Sequence, residues 1–212
     1  MSKIARVSKK CCCCGEVNDF LELEKSDSSG FMDLDTRPAG SMRHDLSIKM
    51  QECPKCHYAN TDVSILIEGL DPNIINEEEY TVIFLSTSGD ERKYLLHAFL
   101  MHSVGNYMRE SYYYLSAAWA CDDAKRPIRA VEHRKKAIEI LRPHFKDFDA
   151  IDNFLIVVDM YRRARLFNDC INLASNLLKG DIKNVFVQKL LRYEIELASS
   201  CDDACHDIGE IQ

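Results

Sequence analysis

No stretch of this 212-residue chain is apolar over the roughly 18 positions a membrane-spanning helix needs, so no membrane span is expected. The first ten residues are basic, but no apolar segment stands behind them. No secretory signal is therefore expected, and a cytoplasmic location follows as the default. Residues 61–90 contain no lysine or arginine. They carry Asp62, Glu68, Asp71, Glu77, Glu78, Glu79 and Asp90, which account for the whole net charge of −7. The segments on either side are balanced, so the net charge alone implies no general repulsion from nucleic acid. Also missing is a glycine-rich loop that could cradle a phosphate. His97 and His102 are five positions apart, which rules out the i, i+4 zinc pair of a metalloprotease helix and leaves them as core or surface histidines.

What is present is an ordinary globular composition, 46% hydrophobic and 29% charged, long enough for one or two domains. Six of the ten cysteines fall within the first 56 residues. In a reducing compartment such clusters bind metal more often than they form disulfides. Cys11-x-x-Cys14-Gly15 and Cys53-Pro54-Lys55-Cys56 form two CxxC units with 38 residues between them. A CxxC turn sets two thiolates about one tetrahedral edge apart. A glycine after the second cysteine permits the left-handed turn that points N–H groups at sulfur. Two such knuckles complete a closed Cys₄ shell of the kind structural Zn²⁺ prefers, so Cys11, Cys14, Cys53 and Cys56 are the expected ligands. Cys12, Cys13 or His57 remain alternative ligands. Redox chemistry is disfavoured because neither CxxC leads into a βαβ unit.

Residues 17–23 and 45–52 alternate in polarity and are expected as strands, giving a hairpin that joins the two cysteine pairs. Residues 61–90 are expected to be a linker with partial structure, with 80–85 short and rich in β-branched and aromatic residues. From about residue 92 the pattern is helical, over 92–104, 107–121, 128–141, 150–165, 167–178 and 184–200. Pro127 fits a helix first turn, and Gly180 a helix stop. Tyr114, Ala117, Ala118, Cys121, Ala130, Arg134 and Ala137 are matched forty residues later by Phe154, Val157, Val158, Tyr161, Cys170, Ala174 and Leu177. That is the spacing of tetratricopeptide-like helix pairs, although the Trp-Leu-Gly signature is absent. The expected fold is α+β: a small N-terminal β zinc ribbon (1–60), an acidic linker (61–90) and an all-α tetratricopeptide-like antiparallel array (91–212).

Asp33 and Asp35 would share one face if extended and could hold Mg²⁺ or do acid/base work. The favoured alternative is an aspartate turn with an internal Arg37 ion pair, holding the hairpin tip or docking it on the helices. Tyr112, Tyr113, Tyr114 and Trp119 fit helix packing better than a ligand cage. The basic stretch 125–136 fits a solvated helix face better than a contact with RNA, an acidic partner or residues 61–90. Cys201, Cys205 and His206 are a weak further metal candidate, with the two thiols expected on one helix face. Cys121 and Cys170 are expected to be buried, inert thiols.

The runs CCCCG, FMDLDTRPAG and MQECPKCHYA, followed by such helices, resemble a family of uncharacterised bacterial proteins with an N-terminal zinc ribbon and helical repeats. The resemblance implies metal ligands at Cys11, Cys14, Cys53 and Cys56, a family motif at Asp33, Asp35, Arg37 and Pro38, and a bacterial cytoplasmic protein. His57 stands where that family has glycine. The expected function is that of a non-enzymatic zinc-binding adaptor with a protein or peptide partner on its helical array. Nucleic-acid binding is the first alternative, and a metal-dependent enzyme using Asp33 and Asp35 the second.

Overall fold

The computed structural model describes residues 2–148 and 150–211. The architecture is α+β, with two small antiparallel hairpins at the N-terminal end followed by helices. Strands β1 (Lys3–Lys10) and β2 (Val17–Lys25) form one hairpin; β3 (Gln51–Glu52) and β4 (Ala59–Asn60) form the other. The helices are α1 (Leu46–Lys49), α2 (Glu78–Ser86), α3 (Gly89–Ser103), α4 (Tyr107–Asp123), α5 (Pro127–Leu141), α6 (Ile151–Arg163), α7 (Phe167–Leu178) and α8 (Val185–Ser199). Among the described residues no helix is long and apolar enough to cross a membrane.

Two segments differ from the sequence expectation, and a third carries an element the sequence had not marked. The basic N-terminus is β1, paired with β2 from Ile4↔Leu23 to Lys10↔Val17. Its Lys9 is buried because the ammonium bridges Glu22 and, at 2.7 Å, Asp62. Residues 45–52 are not one strand. Leu46, Ile48 and Met50 alternate, but Leu46 and Met50 are also i, i+4, so the single turn of α1 brings both into the helical core. Only Gln51 and Glu52 remain extended. Residues 80–85 lie in α2, whose first turn carries Glu78 and Glu79 at the favourable positive end of the helix dipole. Tyr80 turns inward, and Val82 and Leu85 face solvent.

The six expected helices all form. Pro127 opens α5 at its first turn. The helices α3, α4, α6 and α8 share one ending. A residue in the left-handed region follows each of them: Gly105, Lys125, Arg165 and Cys201, with φ of 70°, 56°, 61° and 57°. The next N–H closes back on the helix, Asn106 on Met101 O and Leu166 on Tyr161 O, each at 2.9 Å. This is the Schellman arrangement, which satisfies the last carbonyls and reverses the chain sharply, so successive helices pack antiparallel. Ala117, Ala118, Cys121, Ala130 and Ala137 of the α4–α5 pair are buried, as are Val157, Val158, Cys170 and Ala174 of α6–α7. Small side chains at these points let the helices approach closely.

The main core runs from Leu46 and Met50 through α3–α8. A second core joins Cys11, Cys53, Tyr58 and Val63 to Tyr80 of α2 and to Leu96 and Leu100 of α3. The cysteine knuckles are thus seated on helices.

Candidate metal centre

Each CxxC is the turn of its own hairpin. Residues 11–14 connect β1 to β2, and 53–56 connect β3 to β4, rather than one hairpin joining both pairs. The two knuckles share the same hydrogen bonds. Cys11 N–H donates to Glu16 O at 2.8 Å, and Gly15 N–H to Cys11 O at 3.0 Å. Cys53 N–H donates to Tyr58 O, and His57 N–H to Cys53 O, both at 2.9 Å. Gly15 (φ 73°) and His57 (φ 63°) take the left-handed position that each turn demands. Glycine does so freely; histidine bears a steric cost there.

That cost is offset by the surroundings of His57. Its ring stacks on Phe84 of α2 with centroids 3.6 Å apart, and its Nδ1 lies 3.0 Å from Glu52 Oε1. Tyr80 Oη donates to the His57 carbonyl at 2.7 Å. Histidine in place of glycine therefore fastens the second knuckle to α2.

The Sγ atoms of Cys11 and Cys56 are 3.6 Å apart, as are those of Cys14 and Cys53. All four sulfurs lie within 4.8 Å of one another. A tetrahedral ion with metal–sulfur bonds of about 2.3 Å needs edges of about 3.8 Å. The four cysteines named from the spacing are therefore brought together with the dimensions of a tetrathiolate site. Cys11 and Cys53 are buried, and Cys14 and Cys56 half-buried. Burial pushes the Cys56 thiol up. At Cys14 burial acts the same way, but the Glu16 N–H and the neighbouring thiols outweigh it and pull that thiol down. Four adjacent thiolates repel unless a cation sits among them, so the donor set fits a metal ion.

The alternative ligands stand apart from this cluster. The Sγ of exposed Cys12 faces Cys13 Sγ at 3.8 Å, and His57 is held by Glu52. Near the C-terminus, α8 ends at Ser199, so Cys201 and Cys205 do not share a helix face. Cys205 Sγ lies 2.9 Å from Asp33 Oδ2, and His206 contacts Asp202 at 3.1 Å and Glu210 at 2.8 Å. Glu91, Cys121 and His133 also converge. Glu91 already receives Arg126, Arg129 and His133, each at 2.7 Å, and the two guanidinium charges oppose a cation. Cys121 and Cys170 are buried as expected, and burial raises both thiols.

The DLDTRP motif is a strap docked on the helices. It is not extended: Thr36 N–H donates to Asp33 O at 2.8 Å and Asp33 N–H to Arg37 O at 3.0 Å, closing a tight turn. Asp33 and Asp35 go to different partners. Asp33 meets Arg43 at 2.6 Å. Asp35 is fully buried and accepts from Trp119 Nε1 at 2.8 Å and Arg163 at 2.9 Å, with Arg134 at 3.6 Å. Burial alone would raise its pKa; the guanidiniums of Arg163 and Arg134 and the indole N–H overcome this and hold it below the usual carboxylate range. Arg37 forms its ion pair with Asp123 at 2.5 Å rather than within the motif. The strap also pairs with the C-terminal tail: Leu34 N–H donates to His206 O, and Ile208 N–H to Met32 O, both at 3.0 Å. Arg162 anchors that tail through the carbonyls of Asp202 and Ala204.

Sequence reasoning had not found Arg163, Asp122 and Asp123 as partners of this motif. The available signal was Arg162-Arg163, an adjacent basic pair in the last turn of α6. Of the basic stretch 125–136, Arg126 and Arg129 hold Glu91, and Arg134 bonds Asp122 at 2.6 Å. It is therefore only in part a solvated face. His97 is a core histidine, with Nδ1 on Ala59 O at 2.8 Å, and His102 lies at the surface beside Glu110.

No family model, curated protein or solved structure matches the chain. What the geometry establishes is the four-cysteine cluster, which could hold a metal ion.

Proposed function

We propose that the chain is a non-enzymatic, zinc-binding interaction protein of the bacterial cytoplasm. A metal-stapled module (1–60) and a tetratricopeptide-like helical domain (91–212), joined through 61–90, together present a surface to a protein or peptide partner. The observation that carries this is the closed set of four sulfurs, with Cys11 and Cys53 buried, which leaves no open coordination position for a substrate. Bound zinc would supply a cross-link between the two knuckles and no chemistry of its own. The enzyme alternative loses its acids, because Asp35 is neutralised by arginines and Asp33 by Arg43. The nucleic-acid alternative loses much of its basic stretch to Glu91, Asp35 and Asp122.

Metal analysis of purified protein tests the staple, with about one zinc per chain expected. Cross-linked capture from native cells tests the partner, comparing the wild type with Cys53→Ser. A defined protein held by the wild type and released by the variant is the expected result. Recovery of nucleic acid alone, in a salt-dependent manner, would replace this reading with the alternative.

A further inference from the structure

The run of four cysteines leaves two thiols that the metal centre does not use. Cys12 and Cys13 lie in the first knuckle, between its ligands Cys11 and Cys14. Cys12 is exposed and Cys13 half-buried, and their Sγ atoms are 3.8 Å apart. That is the spacing of two sulfurs on one central atom: metal–sulfur bonds of about 2.3 Å at a tetrahedral angle set them about 3.8 Å apart. The backbone that carries the pair is fixed in advance. Cys12 N–H donates to Val63 O, and Gly15 N–H closes the turn on Cys11 O, both at 3.0 Å. Little further ordering is needed to engage both thiols, which lowers the entropy cost of binding.

Two features select the ligand. The pair does not close readily on itself. The peptide between the two residues is trans, and consecutive Cα atoms across a trans peptide lie about 3.8 Å apart, short of the ~4.4–6.8 Å that a disulfide spans. Nor do the two thiols make a second metal-ion site. Among the described residues no third His, Cys, Asp or Glu joins Cys12 and Cys13 in a metal-sized group. Two sulfurs alone leave a zinc-like ion short of its usual four ligands. A centre that two sulfurs do complete is a monosubstituted trivalent arsenical, whose third bond already goes to carbon.

We propose that Cys12 and Cys13 form a dithiol site for a monosubstituted trivalent arsenical, beside the tetrathiolate and separate from it. With an arsine oxide, R–As=O, two As–S bonds form and the arsenic–oxygen double bond breaks. Both thiol protons leave with that oxygen as one water. Arsenic stays trivalent, so no oxidant or reductant takes part. The second As–S bond forms within one molecule, at the high effective concentration that a neighbouring residue provides. The site is independent of the adaptor reading. It takes Cys11, Cys14, Cys53 and Cys56 to be held by metal, which the experiment reads separately.

The zinc-loaded full chain is titrated with phenylarsine oxide in excess monothiol, and native mass spectrometry reads arsenic and zinc together. The expected result is one phenylarsenic per chain with zinc retained, resistant to the monothiol and removed by 2,3-dimercaptopropanol. Cys12→Ser and Cys13→Ser each keep zinc and weaken arsenical binding by about 10²–10⁴-fold, because the second bond is lost. The double variant Cys201→Ser/Cys205→Ser binds as the wild type does. Wild-type affinity in Cys12→Ser or Cys13→Ser overturns the proposal. So does a wild type that forms no monothiol-resistant adduct, or forms one only as zinc is expelled. Zinc missing before the arsenical is added is a failure of the metal reading alone. In that case, or should a serine variant misfold, fragmentation of the wild-type adduct decides: arsenic on Cys12 and Cys13 supports the site, and arsenic on any other cysteine overturns it.

Discussion

The carboxylate of Asp35 lies 2.9 Å from the guanidinium of Arg163, a residue 128 positions further along the chain. Arg163 also bonds Asp122 at 2.8 Å, and Arg134 reaches both acids. Two aspartates and two arginines thus form a nearly dry, charge-neutral ring that fixes the strap to α4, α5 and α6. A buried pair of this kind adds little net stability over an apolar contact, but removing one member strands the others.

Asp35→Asn should therefore destabilise the fold by about 3–5 kcal/mol. Asp33→Asn should cost about 1 kcal/mol, because its partner Arg43 remains partly in water. Urea denaturation followed by circular dichroism measures both. Equal, small shifts in midpoint would show that the ring does not hold the strap.

Metal content should follow the four clustered sulfurs and ignore their neighbours. Cys11→Ser and Cys53→Ser should each abolish stoichiometric zinc, whereas Cys12→Ser and Cys13→Ser should retain it. Elemental mass spectrometry after gel filtration reads the result. Full zinc in Cys11→Ser would exclude the tetrathiolate assignment.

His57→Gly should keep the metal, because the turn requires a left-handed residue and glycine meets that need more cheaply. What the variant loses is the Phe84 stack and the Glu52 contact. Its zinc should then leave faster to a competing chelator, with stoichiometry unchanged. Loss of stoichiometric zinc would mark the imidazole as a ligand.

His97 should make stability depend on pH. Its Nδ1 serves Ala59 O, its Nε2 is buried with no partner, and burial lowers its pKa to about 4. The unfolded chain takes up that proton near pH 6.5 and the native chain only near 4, so acid favours unfolding. The contribution is present in full above pH 6.5 and is lost as pH falls towards 4, amounting to about 3 kcal/mol. His97→Gln should flatten this part of the stability–pH curve, and matching curves for the two proteins would rule the effect out.

The helices and knuckles were legible because their signals are local. Pro127 at a first turn, the largely apolar run of 94–101 and two CxxC units each declare themselves within a dozen residues. Leu46-x-Ile48-x-Met50 was ambiguous in principle, since a two-residue alternation also contains an i, i+4 pair. In β1 the inward positions include Lys9, which is neutralised by acids from two other segments, so no apolar alternation marks the strand. The receptor for Asp35 was beyond reach for a related reason. It is assembled from Trp119, Arg134 and Arg163 on three helices, and no spacing rule links them to position 35.

The pairing of the strap with the C-terminal tail sets an order on assembly during synthesis. Both knuckles are complete once residue 60 has emerged, and they can take up metal early. Between them the strap must wait, for Arg134, then Arg163, and finally the His206 carbonyl and the Ile208 N–H. A segment encoded near the start is thus among the last to find its place. Until then the ribosome-bound chain carries it as a loop between the two knuckles.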